Sequence, residues 1–202
     1  MENKELPNTN GRDFNDGCTI GAYTYGTVNT SFCGHREDSP EHSGTFTIGR
    51  YCSIGHNVVF LCGGEHHTDW VTTYPFNILQ GNISEEDHNE PFRKNSITGK
   101  NGDIVVGNDV WLGRNAMVLN GVTIGDGCII GAGAVVTRDC EPFGVYVGNP
   151  AKCVRMRFGK EERERLLKVK WWDFDIQYLQ PYMHLLQSKH IHEFLDIMEN
   201  IT

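Results

Sequence analysis

The sequence predicts a mainly β chain wound as a parallel β-helix, with one long inserted loop and a helical C-terminal segment. Three observations carry that prediction: an aliphatic residue recurs every six positions, glycine is over-used, and two segments leave the period. Val106, Leu112, Val118, Ile124, Ile130 and Val136 follow one another in an unbroken register of six. Such a unit is too short for a pair of helices but fits a short strand and a turn, and three units close one triangular coil. Stacked coils rise about 4.8 Å each, the ordinary strand spacing. Glycine supplies 23 of 202 residues, about 11% against a usual share of about 7%. Gly107, Gly113, Gly125 and Gly131 each directly follow an aliphatic member, where a tight corner needs a permissive backbone.

Along the chain, Ile20 with Gly21 is a first, weak echo of the repeat, and Ile48, Ile54 and Phe60 with Gly49 and Gly55 form a second block. Small residues suited to the inside of a narrow tube recur four positions after each aliphatic, at Val110, Ala116, Val122, Cys128, Ala134 and Cys140. Leu61 to Gly102 then interrupts the coils with about forty residues rich in His, Asn, Thr and acidic groups; long insertions in a repeat scaffold usually carry function. From Lys160 to Thr202 apolar stripes at helical spacing are broken near Pro181. The expected organisation is a coil domain over 1–159, with its loop at about 61–102, and a helical cap over 160–202 that shields the open end of the solenoid.

The charge balance, 18 Lys+Arg against 26 Asp+Glu for a net of -8, argues against nucleic acid or an anionic bilayer as the main partner. No stretch of about 18 apolar residues is present, and the polar, acid-bearing opening from Met1 to Asp16 is unlike a secretion leader. Seven cysteines without a CxxC pair predict neither a disulfide framework nor a zinc knuckle, so a reducing cytoplasm is expected. Cys62, four residues before His66, is the one thiol placed to act as a nucleophile, but it ends an apolar run where burial would raise its pKa.

The inserted loop reads Gly63-Gly64-Glu65-His66-His67-Thr68-Asp69-Trp70, then Val71-Thr72-Thr73-Tyr74-Pro75-Phe76-Asn77. It resembles the loop of the xenobiotic acetyltransferases of the hexapeptide-repeat superfamily, the group holding type B chloramphenicol and streptogramin acetyltransferases. Ile20-Gly21-Ala22-Tyr23-Thr24-Tyr25-Gly26, Val110-Trp111-Leu112-Gly113 and Gly148-Asn149-Pro150-Ala151-Lys152, with Arg155 and Arg157-Phe158 beyond, extend the resemblance from about Asp16 to Trp172. The resemblance implies a left-handed coil, an exception to the usual crossover rule, and a homotrimer with its active sites between subunits. It also implies acetyl-CoA as acyl donor and His66 as catalytic base, with Asp69 as the matching acid. His67 stands where Arg is common in the group.

The chemistry asks for the same parts. Moving an acetyl group from a thioester to a hydroxyl needs a base for the hydroxyl proton, and an imidazole is matched to neutral pH. One ring nitrogen has to be held, by Asp69 or by a backbone carbonyl, so that the other is free. The developing oxyanion needs N–H donors, which glycine-rich coils can offer. A pantetheine arm lies close to a backbone only where side chains are small, as at Gly113 and over Gly131-Ala132-Gly133-Ala134. Its phosphates call for cations such as Lys152, Arg155, Arg157 and Lys160, and Trp111, at an outward coil position, either walls the site or packs between subunits. Tyr23, Tyr25, Tyr74 and Phe76 are candidates to line the acceptor side.

The expected activity is therefore transfer of an acetyl group to a hydroxyl of a small molecule, such as an antibiotic or a sugar, with no metal. Two other classes remain open: a zinc-dependent hydratase in the carbonic-anhydrase style using His56, His66 and His67, and a non-catalytic solenoid. The best-formed coils, Asp103 to Cys140, contain no histidine, which disfavours the first.

Overall fold

The computed structural model describes residues 4–6, 12–13, 17–31, 44–64, 66, 68, 70–74 and 102–201. Parallel strands dominate. Val106 pairs with Ile124, Leu112 with Ile130 and Val118 with Val136, so each residue meets the one 18 positions on, three six-residue units later. The coil is a three-faced prism. One face carries the strands Thr19–Ile20, Phe46–Ile48, Ile104–Val106 and Thr123–Ile124. The second runs from Tyr25 through Ser53, Trp111–Leu112 and Ile129–Ile130 to Gly144–Val147, and the third holds Val59–Leu61, Met117–Leu119 and Val135–Val136.

The excursions are written in the register. Ile48 pairs with Val106 and Ile54 with Leu112, partners 58 residues apart instead of 18; the forty-residue difference is the inserted loop. Ile20 pairs with Ile48 and Gly26 with Ile54 at 28, so a second excursion of ten residues separates the first two coils. The six-residue period, which is faint before Ile48, does not reveal it.

Aliphatic residues at the repeat positions point inward and stack into columns: Ile20, Ile48, Val106 and Ile124 in one, Ile54, Leu112, Ile130 and Tyr146 in another, all buried. Burying each such side chain is worth about 1.5–3 kcal/mol, and the columns form one continuous core. Tyr146 ends its column with a ring in place of an aliphatic; its phenol oxygen accepts from the Glu141 N–H at 2.7 Å, and burial pushes its pKa up to about 12. Cys52 and Cys128 sit inside with their thiols on the carbonyls of Gly107 (3.1 Å) and Glu141 (3.0 Å), and burial raises both to about 12. Corner glycines are required by the next coil: a Cβ on Gly113 would lie 2.5 Å from the Ala132 amide nitrogen, and one on Gly49 2.6 Å from the Gly107 carbonyl oxygen.

The corner between the first and second faces is built differently. Tyr23, Tyr51, Asp109, Gly127 and Phe143 stack there, all with positive φ between 53 and 68°, linked by Tyr51, Asp109, Gly127 and Phe143 N–H groups donating to Ala22, Arg50, Asn108 and Asp126 carbonyls. Non-glycine residues avoid this conformation, and their side chains explain the choice. The C-terminal segment packs against them: Phe143 against Phe158 and Trp172, Tyr51 against Trp171.

That segment contains α1 (Lys160–Val169), α2 (Ile176–Leu179), α3 (Met183–Leu186) and α4 (Ile191–Glu199). Glu161 and Glu162 in the first turn of α1 and Lys168 in its last complement the helix dipole. Pro181 lies in a 3₁₀ turn, Gln180–Tyr182, where the stripes break. Leu166, Trp172, Leu179, Phe194, Leu195 and Met198 form a second apolar core with Phe143 at its edge, and Arg165 ties α1 to α4 through Glu199 and Asp196. The contacts with the coil therefore climb one corner of the prism from Phe143 to Tyr51, where sequence alone predicts a lid on its open end. No helix of the described residues is long and apolar enough to cross a membrane.

Candidate active site

The loop leaves the coil at the end of the strand Ser53–Leu61. Cys62 is buried and disulfide-bonded, so it is no thiol nucleophile, and the expectation of seven reduced cysteines is corrected at this residue. His66 follows, exposed, with Nδ1 2.6 Å from the carbonyl oxygen of Thr73. A carbonyl can only accept, so Nδ1 carries the proton and Nε2 keeps a free lone pair. The backbone carbonyl is thus in place to hold the ring. A further local bond shapes the segment: the Tyr74 N–H donates to Thr72 Oγ1 at 3.1 Å. Tyr74 is 45% exposed. Asp69, Phe76 and His67 lie outside the described residues.

The second face of the prism collects the other candidates. Its register places Tyr25, Ser53, Trp111, Ile129, Val145 and Arg155 in one row, each paired with the next. Six strands at about 4.8 Å spacing make the row about 24 Å long. Tyr25 is 53% and Trp111 55% exposed, and Arg155 is exposed, so the row carries two open aromatics and ends in a cation. Gly113, Gly131 and Ala132 lie at the corner where this face meets the third. Only Ala132 is open there, since Gly113 faces Ala132 and a Cβ on Gly131 would lie 2.8 Å from Val147 Cγ1. Gly133, with φ +69°, has open space beside it. Lys152 pairs with Val147 at the same end. Tyr23 lies apart, on the first corner, its ring stacked on Tyr51 at 4.8 Å.

The basic cluster read from sequence divides. Lys152 and Arg155 are exposed on the strand Lys152–Met156, antiparallel to Gly144–Val147. Arg157 is engaged instead, its Nη1 2.9 Å from Asp109 Oδ2 and 2.7 Å from the Gly127 carbonyl, its guanidinium over the Phe143 and Phe158 rings. Lys160 is exposed beside Glu164 at 3.8 Å. His56 and Arg114 stack at the corner beside Ala132, where the Asn115 N–H donates to the His56 carbonyl and that of Gly133 to Arg114. Each stands two residues after an interior aliphatic, Ile54 and Leu112. Among the described residues no group of three His, Cys, Asp or Glu side chains could hold a metal ion.

Coils of 18 residues with glycine corners define a hexapeptide-repeat protein, and the family described as bacterial transferase hexapeptide (six repeats) matches residues 103–138. A chloramphenicol acetyltransferase of Agrobacterium fabrum is 37% identical over 155 residues, 75% of this chain and 70% of its own. A probable macrolide acetyltransferase of Lysinibacillus sphaericus is 38% identical over 146 residues, 70% of this chain and 77% of its own. The solved structure of a hexapeptide-repeat acetyltransferase from Vibrio cholerae, complexed with acetyl coenzyme A, is 25% identical and covers 69% of this chain and 60% of that one, with a TM-score of 0.47. The chain belongs to the hexapeptide-repeat acyltransferases and, within them, to the xenobiotic acetyltransferase group.

Proposed function

We propose that the protein is an acetyl-CoA-dependent O-acetyltransferase acting on a hydroxyl of a small molecule, an antibiotic of the chloramphenicol, streptogramin or macrolide kind or a sugar. The observation that carries it is the contact between His66 Nδ1 and the Thr73 carbonyl. That contact leaves Nε2 as the base. In a ternary complex Nε2 takes the proton of the acceptor hydroxyl as its oxygen attacks the thioester carbonyl carbon. The tetrahedral intermediate then expels coenzyme A, the C–S bond breaks, and the imidazolium returns its proton to the thiolate. Asp69 is the matching acid of the family pattern. Trp111 and Ala132 offer the pantetheine arm an apolar bed, with Gly113 and Gly131 letting the coils behind it stack closely; Lys152 and Arg155 face its phosphates, and Tyr25, Tyr74, Phe76 and Tyr23 belong to the acceptor side.

We read the prism as left-handed and the chain as a coil unit, 1–159, with a helical unit, 160–202. Three copies associate so that the loop of one brings His66 to the Tyr25–Arg155 row of the next, which accounts for two exposed aromatics, Tyr25 and Trp111, in one row of a chain of net charge -8. Thiol release from acetyl-CoA with a panel of hydroxylated antibiotics and nucleotide sugars tests the reading. An acceptor-dependent rate that falls about 10²–10⁴-fold in His66→Ala, with acetyl-CoA affinity kept, is expected. Full activity in that variant removes His66 as base, and release in no arm of the panel with no acetyl-CoA bound removes the reaction.

A further inference from the structure

We propose that Arg157, paired with Asp109, is a positioning residue for the acyl-CoA site: it latches the return strand Lys152–Met156 to the first corner of the prism and so fixes where Lys152 and Arg155 stand. The proposal rests on the acetyl-CoA reading above. Its physical basis is a convergence of four contacts on one guanidinium. Nη1 donates to Asp109 Oδ2 at 2.9 Å and to the Gly127 carbonyl at 2.7 Å, while the plane covers Phe143 and Phe158 at 5.8 and 5.0 Å. Its own backbone N–H donates to the Phe143 carbonyl at 2.8 Å, extending the pairing that begins at Lys152 and Val147.

The return strand needs such an anchor. It runs antiparallel to Gly144–Val147 at the end of the second face, its pairing shifts register between Val145 and Tyr146, and four of its five residues are exposed. Without side-chain burial to hold it, the strand depends on its two ends. One end is the turn at Gly148; the other is Arg157. Asp109 meets the guanidinium from the coil, on the corner where Tyr51, Gly127 and Phe143 share its left-handed backbone. The cation is thus spent on a carboxylate and a carbonyl of the coil and not on a phosphate, while Arg155, two residues earlier, is exposed, its Nη1 donating to the neighbouring Met156 carbonyl at 3.3 Å. Lysine cannot replace arginine here without loss, because one ammonium has neither the planar fork nor the face that lies on the two rings.

Three variants, Arg157→Lys, Arg157→Gln and Asp109→Asn, together with the double Asp109→Asn/Arg157→Gln, test the latch in the full-length protein. Acetyl-CoA titrated calorimetrically is expected to bind about tenfold more weakly to Arg157→Gln and to Asp109→Asn, with a smaller loss for Arg157→Lys. The double variant is expected to match the singles, not to multiply them, because either change opens the same contact. Amide exchange of the ligand-free proteins is expected to quicken at residues 152–156 in the Gln variant and to stay unchanged at 104–136. Unchanged affinity in the folded variants, multiplying losses, or exchange that rises equally throughout the coil would overturn the proposal. Wild-type protein that binds no acetyl-CoA would sink the functional reading, while the exchange at 152–156 would still decide the latch.

Discussion

Thr73 meets His66 through its main chain, so the side chain at that position has no part in fixing the imidazole tautomer. Thr73→Val is therefore expected to keep acetyl transfer within about twofold of wild type, where His66→Ala loses at least a hundredfold; steady-state rates on one acceptor compare the two. Asp109 carries the other consequence at this scale. Burial holds its carboxyl above the ordinary range, opposed by the Arg157 charge and hydrogen bond and assisted by the nearby Asp126 carboxylate. Its folded pKa thus exceeds its unfolded one, and its contribution to stability is full at pH below about 3.8 and is lost as pH rises through the raised value. Urea unfolding between pH 4 and 7 is expected to show wild type losing stability relative to Asp109→Asn as pH rises. Parallel pH profiles for the two proteins would contradict that.

At the scale of the element, the six-residue register was readable before any coordinates because each interior column repeats one requirement, an aliphatic side chain of limited size facing its equals above and below. The glycine corners were readable for a similar reason, and the structure separates them into two kinds. Gly113→Ala would drive a Cβ to 2.5 Å from the Ala132 amide nitrogen and is expected to destabilise by about 1–3 kcal/mol. Gly133→Ala meets open space and bears only its φ of +69°, about 1 kcal/mol; thermal or urea melts of both rank them. What the period does not encode is what a corner faces. Tyr23, Tyr51, Asp109 and Phe143 occupy left-handed positions where spacing leads one to expect glycine or asparagine, and their partners Trp171, Arg157 and Trp172 lie far along the chain. The destination of the helical segment, and with it the role of Arg157, was for that reason illegible, although its helices and their break at Pro181 were not.

For the whole molecule, the candidate site falls into two parts that one chain holds on different faces: the loop with His66, which departs from the third, and the row from Tyr25 to Arg155 on the second. A copy defective in one part and a copy defective in the other should then repair each other. Mixing His66→Ala with Trp111→Glu under conditions that exchange subunits is expected to restore a fraction of the wild-type rate, since some seams would join an intact loop to an intact row. No recovery beyond the parent variants, in mixtures shown to have exchanged subunits, would put both parts in one chain.

A stack of parallel rungs has no natural stopping point, because each finished rung offers the next one the same open backbone groups. Here both ends are turned back: Lys4–Leu6 and Arg12–Asp13 run antiparallel along the first strands, and Lys152–Met156 does so along the last. A second prism arriving end-on therefore meets strands of reversed polarity with a different hydrogen-bond rhythm. End-to-end growth into a fibre is thereby disfavoured.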